Sequence, residues 1–249
     1  MYGQRELEED CMRWLRVNLL GHLPEHPHRL ADIDPELMAR LVASPDLFVM
    51  QTEFSVYVLL RLWMFMRICK SHVVSDTPQE AVMASHKYFQ DLAKENKKLG
   101  VEAFLSTPEG EVYAGAFRKL RLPQLINHSM DMEMLVTDRV IPSSWMDPVF
   151  RGQWRNLLRM DHGSAELGPN PSEVDEETFV RHCLRCGRTL TNGMTKHVWR
   201  WTGFNHGLDL VVEYNNLNLA VKRNIPGLSG CNWLWFPPLD MVSFNASHR

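Results

Sequence analysis

The stretch from Leu47 to Met66, LFVMQTEFSVYVLLRLWMFM, is the most concentrated apolar run in the chain and constrains the fold most. A membrane-spanning helix needs about 20 predominantly apolar residues with few charges. Here Gln51, Thr52 and Glu53 interrupt the run near its start, Arg61 sits inside it, and the unbroken apolar part from Val56 to Leu60 is far too short to span. Phe54, Tyr57, Val58, Leu62 and Phe65 fall on one helical stripe, and Val56, Leu59, Leu60, Trp63 and Met64 on another. A helix apolar around most of its circumference belongs in the middle of a helical core. Thr52 is placed to cap it, and Glu53 then occupies the first turn, where the dipole favours a negative charge.

The neighbouring segments share the helical period. Leu7, Cys11, Trp14, Leu15 and Leu19 have the three-and-four spacing of an amphipathic helix that stops at Gly21. Asp34-Pro35 reads as a cap and first turn for a helix burying Leu37, Met38, Leu41 and Val42. A further helix is predicted from Pro78 to Leu99, stopping at Gly100, with its charged tail from Lys94 to Lys98 in solvent. Thr107-Pro108-Glu109-Gly110 reads as a tight turn. Helical spacing returns at Phe117, Leu120 and Leu125 until Pro123 breaks or kinks it. Trp145, Val149, Phe150, Trp154, Leu157 and Leu158 mark a helix capped by Ser143 or Ser144.

After the acidic, Gly- and Pro-rich stretch DHGSAELGPNPSEVDEE the period changes from 3.6 to two. LDLVVEYNNLNLAVKRN reads as a hairpin closed at Asn215-Asn216, because Asn tolerates the positive φ of a two-residue turn. That register sets Tyr214 against Leu217, Val212 against Leu219, Leu210 against Val221 and Asp209 against Lys222. Asn192-Gly193 signals a second hairpin between CLRCGRTL and KHVWRW. The expected fold class is therefore α+β: an N-terminal α-helical domain over residues 1–160, a linker over 161–177, and a small antiparallel β-rich domain over 178–249 whose pattern fades after Asn224.

With 45% hydrophobic and 23% charged residues and a net charge of -3, the composition is that of a globular protein, without the basic stripe of a nucleic-acid binder. The polar, acidic start is no secretory signal, and Gly3 is one place too late for N-myristoylation. Five cysteines form no disulfide framework, which fits a reducing compartment. Cys183-Leu-Arg-Cys186 invites a zinc reading, with His182, His197, His206 and Cys231 nearby, but a structural site commonly needs two close pairs and only one is present. On a strand, a spacing of three also places those two thiols on opposite faces. No phosphate loop, dinucleotide fingerprint or metalloprotease helix motif occurs, and Gly227-Leu-Ser229-Gly230 is not a nucleophile elbow. Neither a catalytic set, a cofactor nor a metal is expected.

The sharpest candidate for recognition is aromatic. On a strand His197, Trp199 and Trp201 share one face, with Val198 and Arg200 on the other. They either form a Trp-rich core under a small sheet or, with Phe204, supply anchors for a protein partner. Trp199, Arg200, Trp201 and Phe204 are the candidate partner-binding residues.

Two sets of motifs carry a family resemblance. DPELMARLVASPDLFVMQTEFSVYVLLRLWMF, with Leu47, Val49, Glu53, Val56, Tyr57 and Trp63, resembles the BACK domain, the helical region following a BTB domain in many ubiquitin-ligase adaptors. FRKLRLPQLI, with Arg121, Leu122 and Pro123, resembles its later segment. IPSSWMDPVFRGQWRNLLR, CGRTL and WRWTGFNHGLDLVVEYNNLNLAVKRN resemble the germ cell-less branch of the BTB-BACK proteins. The resemblance runs from about Glu8 to Asn224. It implies a non-catalytic substrate receptor for a cullin-3 RING ubiquitin ligase, linked to germ-cell formation and to the nucleus and nuclear envelope. It implies a protein substrate as partner, with cullin-3 and a homodimer only when a BTB domain is present. No BTB domain is expected ahead of Arg5, and neither nucleic acid binding nor membrane insertion is expected. The alternative is a nuclear-envelope scaffold or a transcription-regulatory interaction protein.

Overall fold

The computed structural model describes residues 4–69, 77–161, 174–185, 187, 197–203, 208–215, 218–223 and 234–236. Its helices are α1 (Gln4–Asn18), α2 (Pro27–Leu30), α3 (Pro35–Ala43), α4 (Glu53–Ile68), α5 (Pro78–Lys98), α6 (Pro108–Phe117), α7 (Ser129–Asp138), α8 (Ser143–Asp161) and α9 (Glu176–His182). Four strands follow: β1 (His197–Gly203), β2 (Leu208–Asn215), β3 (Asn218–Arg223) and β4 (Leu234–Phe236).

The apolar run is α4, and it is the centre of the core. Val56, Tyr57, Leu60, Trp63 and Met64 are wholly buried, and α2, α5 and α6 pack around the helix. Each such side chain removed from water contributes roughly 1.5–3 kcal/mol. Trp63 also satisfies its indole by donating to the carbonyl of Ile33 at 2.8 Å. Arg67, one turn later, donates to the carbonyls of Ala31 at 2.7 Å and Ile33 at 2.9 Å, which quiets the backbone leaving α2. α3 starts where the cap predicts: the Asp34 carboxylate accepts from the Leu37 N–H at 2.8 Å, with Pro35 in the first turn. Met38, Leu41 and Val42 are buried as expected, against α6, while Leu37 is only half-buried.

Several expectations need correction. The expected α1 stripe does not all face inward: Leu19 is buried and Leu15 half-buried, but Cys11 is exposed, Leu7 is 64% and Trp14 48% exposed, and the buried residue on that helix is Met12. Thr107-Pro108-Glu109-Gly110 is no tight turn. Thr107 Oγ1 accepts from the Gly110 N–H at 3.0 Å and Pro108 fills the first turn of α6, so the residues that suggested a turn open a helix. Gly110 is needed there because a Cβ would lie 2.0 Å from the carbonyl oxygen of Phe104. α7 went unpredicted. Its start is fixed by Asp131, whose carboxylate accepts from the Asn127 N–H at 2.9 Å and the His128 N–H at 3.0 Å.

The expected α+β class, with a small antiparallel β-rich domain over residues 178–249, is also corrected. Helix predominates among the described residues, and the longest strand has 8 residues. The acidic end of the expected linker is helix chemistry instead: Asp175 caps α9, its carboxylate accepting from the Thr178 N–H at 2.6 Å, with Glu176 and Glu177 in the first turn. Cys183, Leu184 and Arg185 are not strand residues, and Arg185 is buried against α4. Strand is confined to one antiparallel sheet of order β1-β2-β3-β4.

Within it β2 and β3 pair as a hairpin, displaced from the expected register. Val212 opposes Val221, Tyr214 opposes Leu219 and Asn215 opposes Asn218. Asp209 therefore pairs with Thr202 of β1, and Lys222 with Val211, not with each other. The displacement is an even number of residues, so it leaves the inward and outward alternation intact and the apolar pattern blind to it. Asn192-Gly193 lies outside the described residues.

Candidate functional site

Trp199, Arg200 and Trp201 lie on β1, their backbones opposite Val212, Val211 and Leu210. Phe204 lies outside the described residues. β1 has β2 as its only neighbour among the described residues, which makes it an edge of the sheet there. An edge strand presents unpaired backbone donors and acceptors to an incoming chain.

What sequence reasoning missed is a buried ionic clasp that joins the segment after α9 to the helical core. Glu53 at the start of α4 is wholly buried. Its Oε2 accepts from Arg185 Nε at 3.0 Å and its Oε1 from Arg185 Nη2 at 2.6 Å, a two-pronged pairing. Oε1 also accepts from the backbone N–H of Arg121 at 2.9 Å. The remaining arm of Arg185 donates to the carbonyl of Val42 at 2.9 Å, closing the end of α3. Glu53 does sit in the first turn of α4 as expected, and it is also the anchor for a residue far along the chain. Helix propensity signals a first-turn acid but carries no information about such a distant partner.

Two further contacts extend the clasp. Arg121 Nη1 donates to the carbonyl and to the Sγ of Cys183, so this thiol is engaged by a guanidinium. Cys186 lies outside the described residues. The Gln51 N–H donates to the carbonyl of Gly187 at 2.8 Å, and a Cβ on Gly187 would lie 2.8 Å from both the Phe48 ring and the Val49 carbonyl oxygen. Arg185 and Gly187 are thus laid against the start of α4 and the loop leading into it.

A second buried network sits one turn along α4. Tyr57 Oη donates to Asp138 Oδ2 at 2.6 Å, and Arg61 Nη1 donates to the same oxygen at 3.0 Å. Burial pushes the Asp138 carboxyl above the usual range, with Tyr57 and Arg61 pulling it back. Burial, then the Asp138 charge, raises the Tyr57 phenol well above its ordinary value. Arg61 also reaches His86 Nδ1 at 3.0 Å, and burial followed by this guanidinium lowers the His86 pKa. The groups are turned on one another, tying α4 to α5 and α7. A surface depression of about 410 Å³ is lined by Ala84, Lys87, Tyr88, Asp91, Leu92 and Glu95, all from α5, so no second element brings polar groups to it. Among the described residues no helix is long and apolar enough to cross a membrane.

By fold the chain is a mostly helical protein with a small antiparallel sheet, its deepest charges spent on holding segments together. Comparison with known proteins then places it. The chain is 37% identical over 245 residues to the protein germ cell-less of Drosophila melanogaster, covering 90% of the chain and 41% of that relative. It is 33% identical over 223 residues to germ cell-less protein-like 1 of Homo sapiens and 32% identical over 224 residues to germ cell-less protein-like 2 of Homo sapiens, covering 90% of the chain each time, and 41% and 40% of the respective relatives. Over 90% of its length the chain is thus homologous to proteins named germ cell-less or germ cell-less-like. It spans about two fifths of the length of these relatives. No family model matches the chain, and no solved structure matches it.

Proposed function

We propose that this chain is the substrate-recognition portion of a BTB-BACK adaptor for a cullin-3 RING ubiquitin ligase, working in the nucleus or at the nuclear envelope in germ-cell formation. The observation that carries the reading is the homology to germ cell-less proteins over 90% of the chain. The chain itself catalyses nothing in this account. It holds a protein substrate beside a ligase and so raises the effective concentration of the substrate's lysines. Trp199, Arg200, Trp201 and Phe204 are the proposed anchors, and the β1 edge offers a route by which an extended substrate segment adds as a strand. The helical body serves as the rigid mount, with the Glu53–Arg185 clasp fixing the chain segment that leads toward the sheet.

The test is quantitative affinity purification of three proteins: residues 1–249, residues 1–187, and the full chain fused to a BTB domain of the same family. The shorter protein runs through Gly187 because ending it before residue 185 strands Glu53 in the core, and Gly187 itself accepts from the Gln51 N–H. Partners lost from 1–187, with cullin-3 recovered by the BTB fusion, support the adaptor. Partners retained by a folded fusion that recovers no cullin-3 overturn it in favour of a nuclear-envelope scaffold.

A further inference from the structure

We propose that His22, Glu25 and His26 form a surface site for a divalent transition-metal ion, with Zn²⁺ its physiological occupant. The three side chains offer ligand atoms that all lie within 4.8 Å of one another. His22 Nδ1 and Glu25 Oε2 are already 3.0 Å apart, and the His22 and His26 rings meet edge to face with centroids 5.4 Å apart. Zinc held by imidazole nitrogen and carboxylate oxygen at about 2.0–2.2 Å in a tetrahedral site sets its ligand atoms roughly 3.3–3.5 Å from each other. The His22–Glu25 pair, at 3.0 Å, already lies close to that spacing, and the adjustment needed at all three ligands is a side-chain rotation by groups that are exposed or half-buried.

The backbone beneath is fixed. His22 donates its N–H to the carbonyl of Asn18 at 2.9 Å, Glu25 to His22 at 3.1 Å, and His26 to Leu23 at 2.9 Å; the His26 carbonyl accepts from Arg29 at 2.9 Å. Leu23 and Leu30 are buried at 6% and 0%, pinning the turn to the core on both sides of the three ligands. Pro24 and Pro27 fix φ, and Pro27 excludes the helical region for His26, which sits at φ -127 and ψ 70. The sequence His22-Leu-Pro-Glu25-His26 thus presents three ligands from one rigid turn, so little ordering entropy opposes binding.

Two imidazoles and a carboxylate without a thiolate select zinc and its late first-row neighbours over calcium or magnesium, which prefer oxygen ligands. Three protein ligands leave a fourth position for water, the arrangement of open zinc sites. This site is separate from the Cys183-Leu-Arg-Cys186 pair, and its chemistry tells the two apart.

The test is titration of the full chain with Zn²⁺ by calorimetry, with Co²⁺ as a spectroscopic probe, for the wild type, His22→Ala, His26→Ala and a Cys183→Ser/Cys186→Ser double variant. The site predicts one saturable equivalent at the wild type and the cysteine variant, affinity weakened about tenfold or more in each histidine variant, and a Co²⁺ spectrum without a thiolate charge-transfer band. His22 is exposed and His26 half-buried, so circular dichroism should match the wild type in both variants. Absence of saturable binding, equal affinity in the histidine variants, or binding that carries a thiolate band and disappears with the cysteines would overturn the proposal.

Discussion

Replacing Arg185 and Glu53 one at a time separates two ways of breaking the clasp. Glu53 is 0% and Arg185 2% exposed, so neither charge reaches water when its partner goes. Glu53→Gln leaves a guanidinium, which cannot shed its charge, buried without a counter-ion; breaking such a pair costs about 3–5 kcal/mol. Arg185→Met leaves the Glu53 carboxylate with the Arg121 N–H at 2.9 Å and the Arg121 guanidinium within electrostatic reach, so its loss is the smaller of the two. A Glu53→Gln/Arg185→Met double variant removes both charges and should recover most of the Glu53→Gln deficit. Urea unfolding followed by far-ultraviolet circular dichroism at about pH 7.5 reads all three variants. A Glu53→Gln deficit under about 1 kcal/mol, or a double variant no more stable than Glu53→Gln, would refute the assignment of this pair as a buried ionic clasp.

Other outcomes follow from the same structure. Gly110→Ala pushes a Cβ into the Phe104 carbonyl, a backbone obstacle 2.0 Å away, and should destabilise by about 3 kcal/mol in the same urea assay. Asp34→Ala removes the α3 cap and should cost about 1 kcal/mol, visible as a lowered urea midpoint with an unchanged slope. His86, held neutral by burial and by Arg61, with Gln90 Nε2 2.8 Å from its Nε2, makes the folded state bind protons less readily than the unfolded one. Its contribution is complete above the ordinary histidine pKa of about 6.5 and is lost as pH falls through that value toward the lowered native one. His86→Gln should flatten the stability profile in that window, and an unchanged slope would contradict the placement.

Local chemistry was legible in the sequence. α3 was readable because Asp34 and Pro35 announce a helix start within a few residues, and α4 because its apolar pattern leaves no face for solvent. The same signals misled where one residue set serves two motifs. Thr107-Pro108-Glu109-Gly110 satisfies both a turn and a helix cap, and only the approach of the Phe104 backbone to Gly110 decides between them. Leu7 and Trp14 have core spacing yet face outward, because periodicity names a face without naming what covers it. The hairpin was visible in the alternation around Val212 and Val221, but a register displaced by two residues preserves every face. Least legible was the pairing of Glu53 with Arg185. Such a pair depends on the folded path of the chain between them, and each residue alone resembles an ordinary surface charge. The candidate anchors Trp199, Arg200 and Trp201 were found through aromatic spacing on a strand, and their segment is strand β1.

The most direct test of substrate recognition is quantitative partner capture by the BTB-fused full chain, with Trp199, Arg200, Trp201 and Phe204 intact or all replaced by alanine, and with circular dichroism confirming that the helical body is retained. The account predicts that the substituted protein keeps cullin-3 and loses its protein substrates. Substrates captured equally by both, from equally folded proteins, would contradict it and move recognition to the helical face.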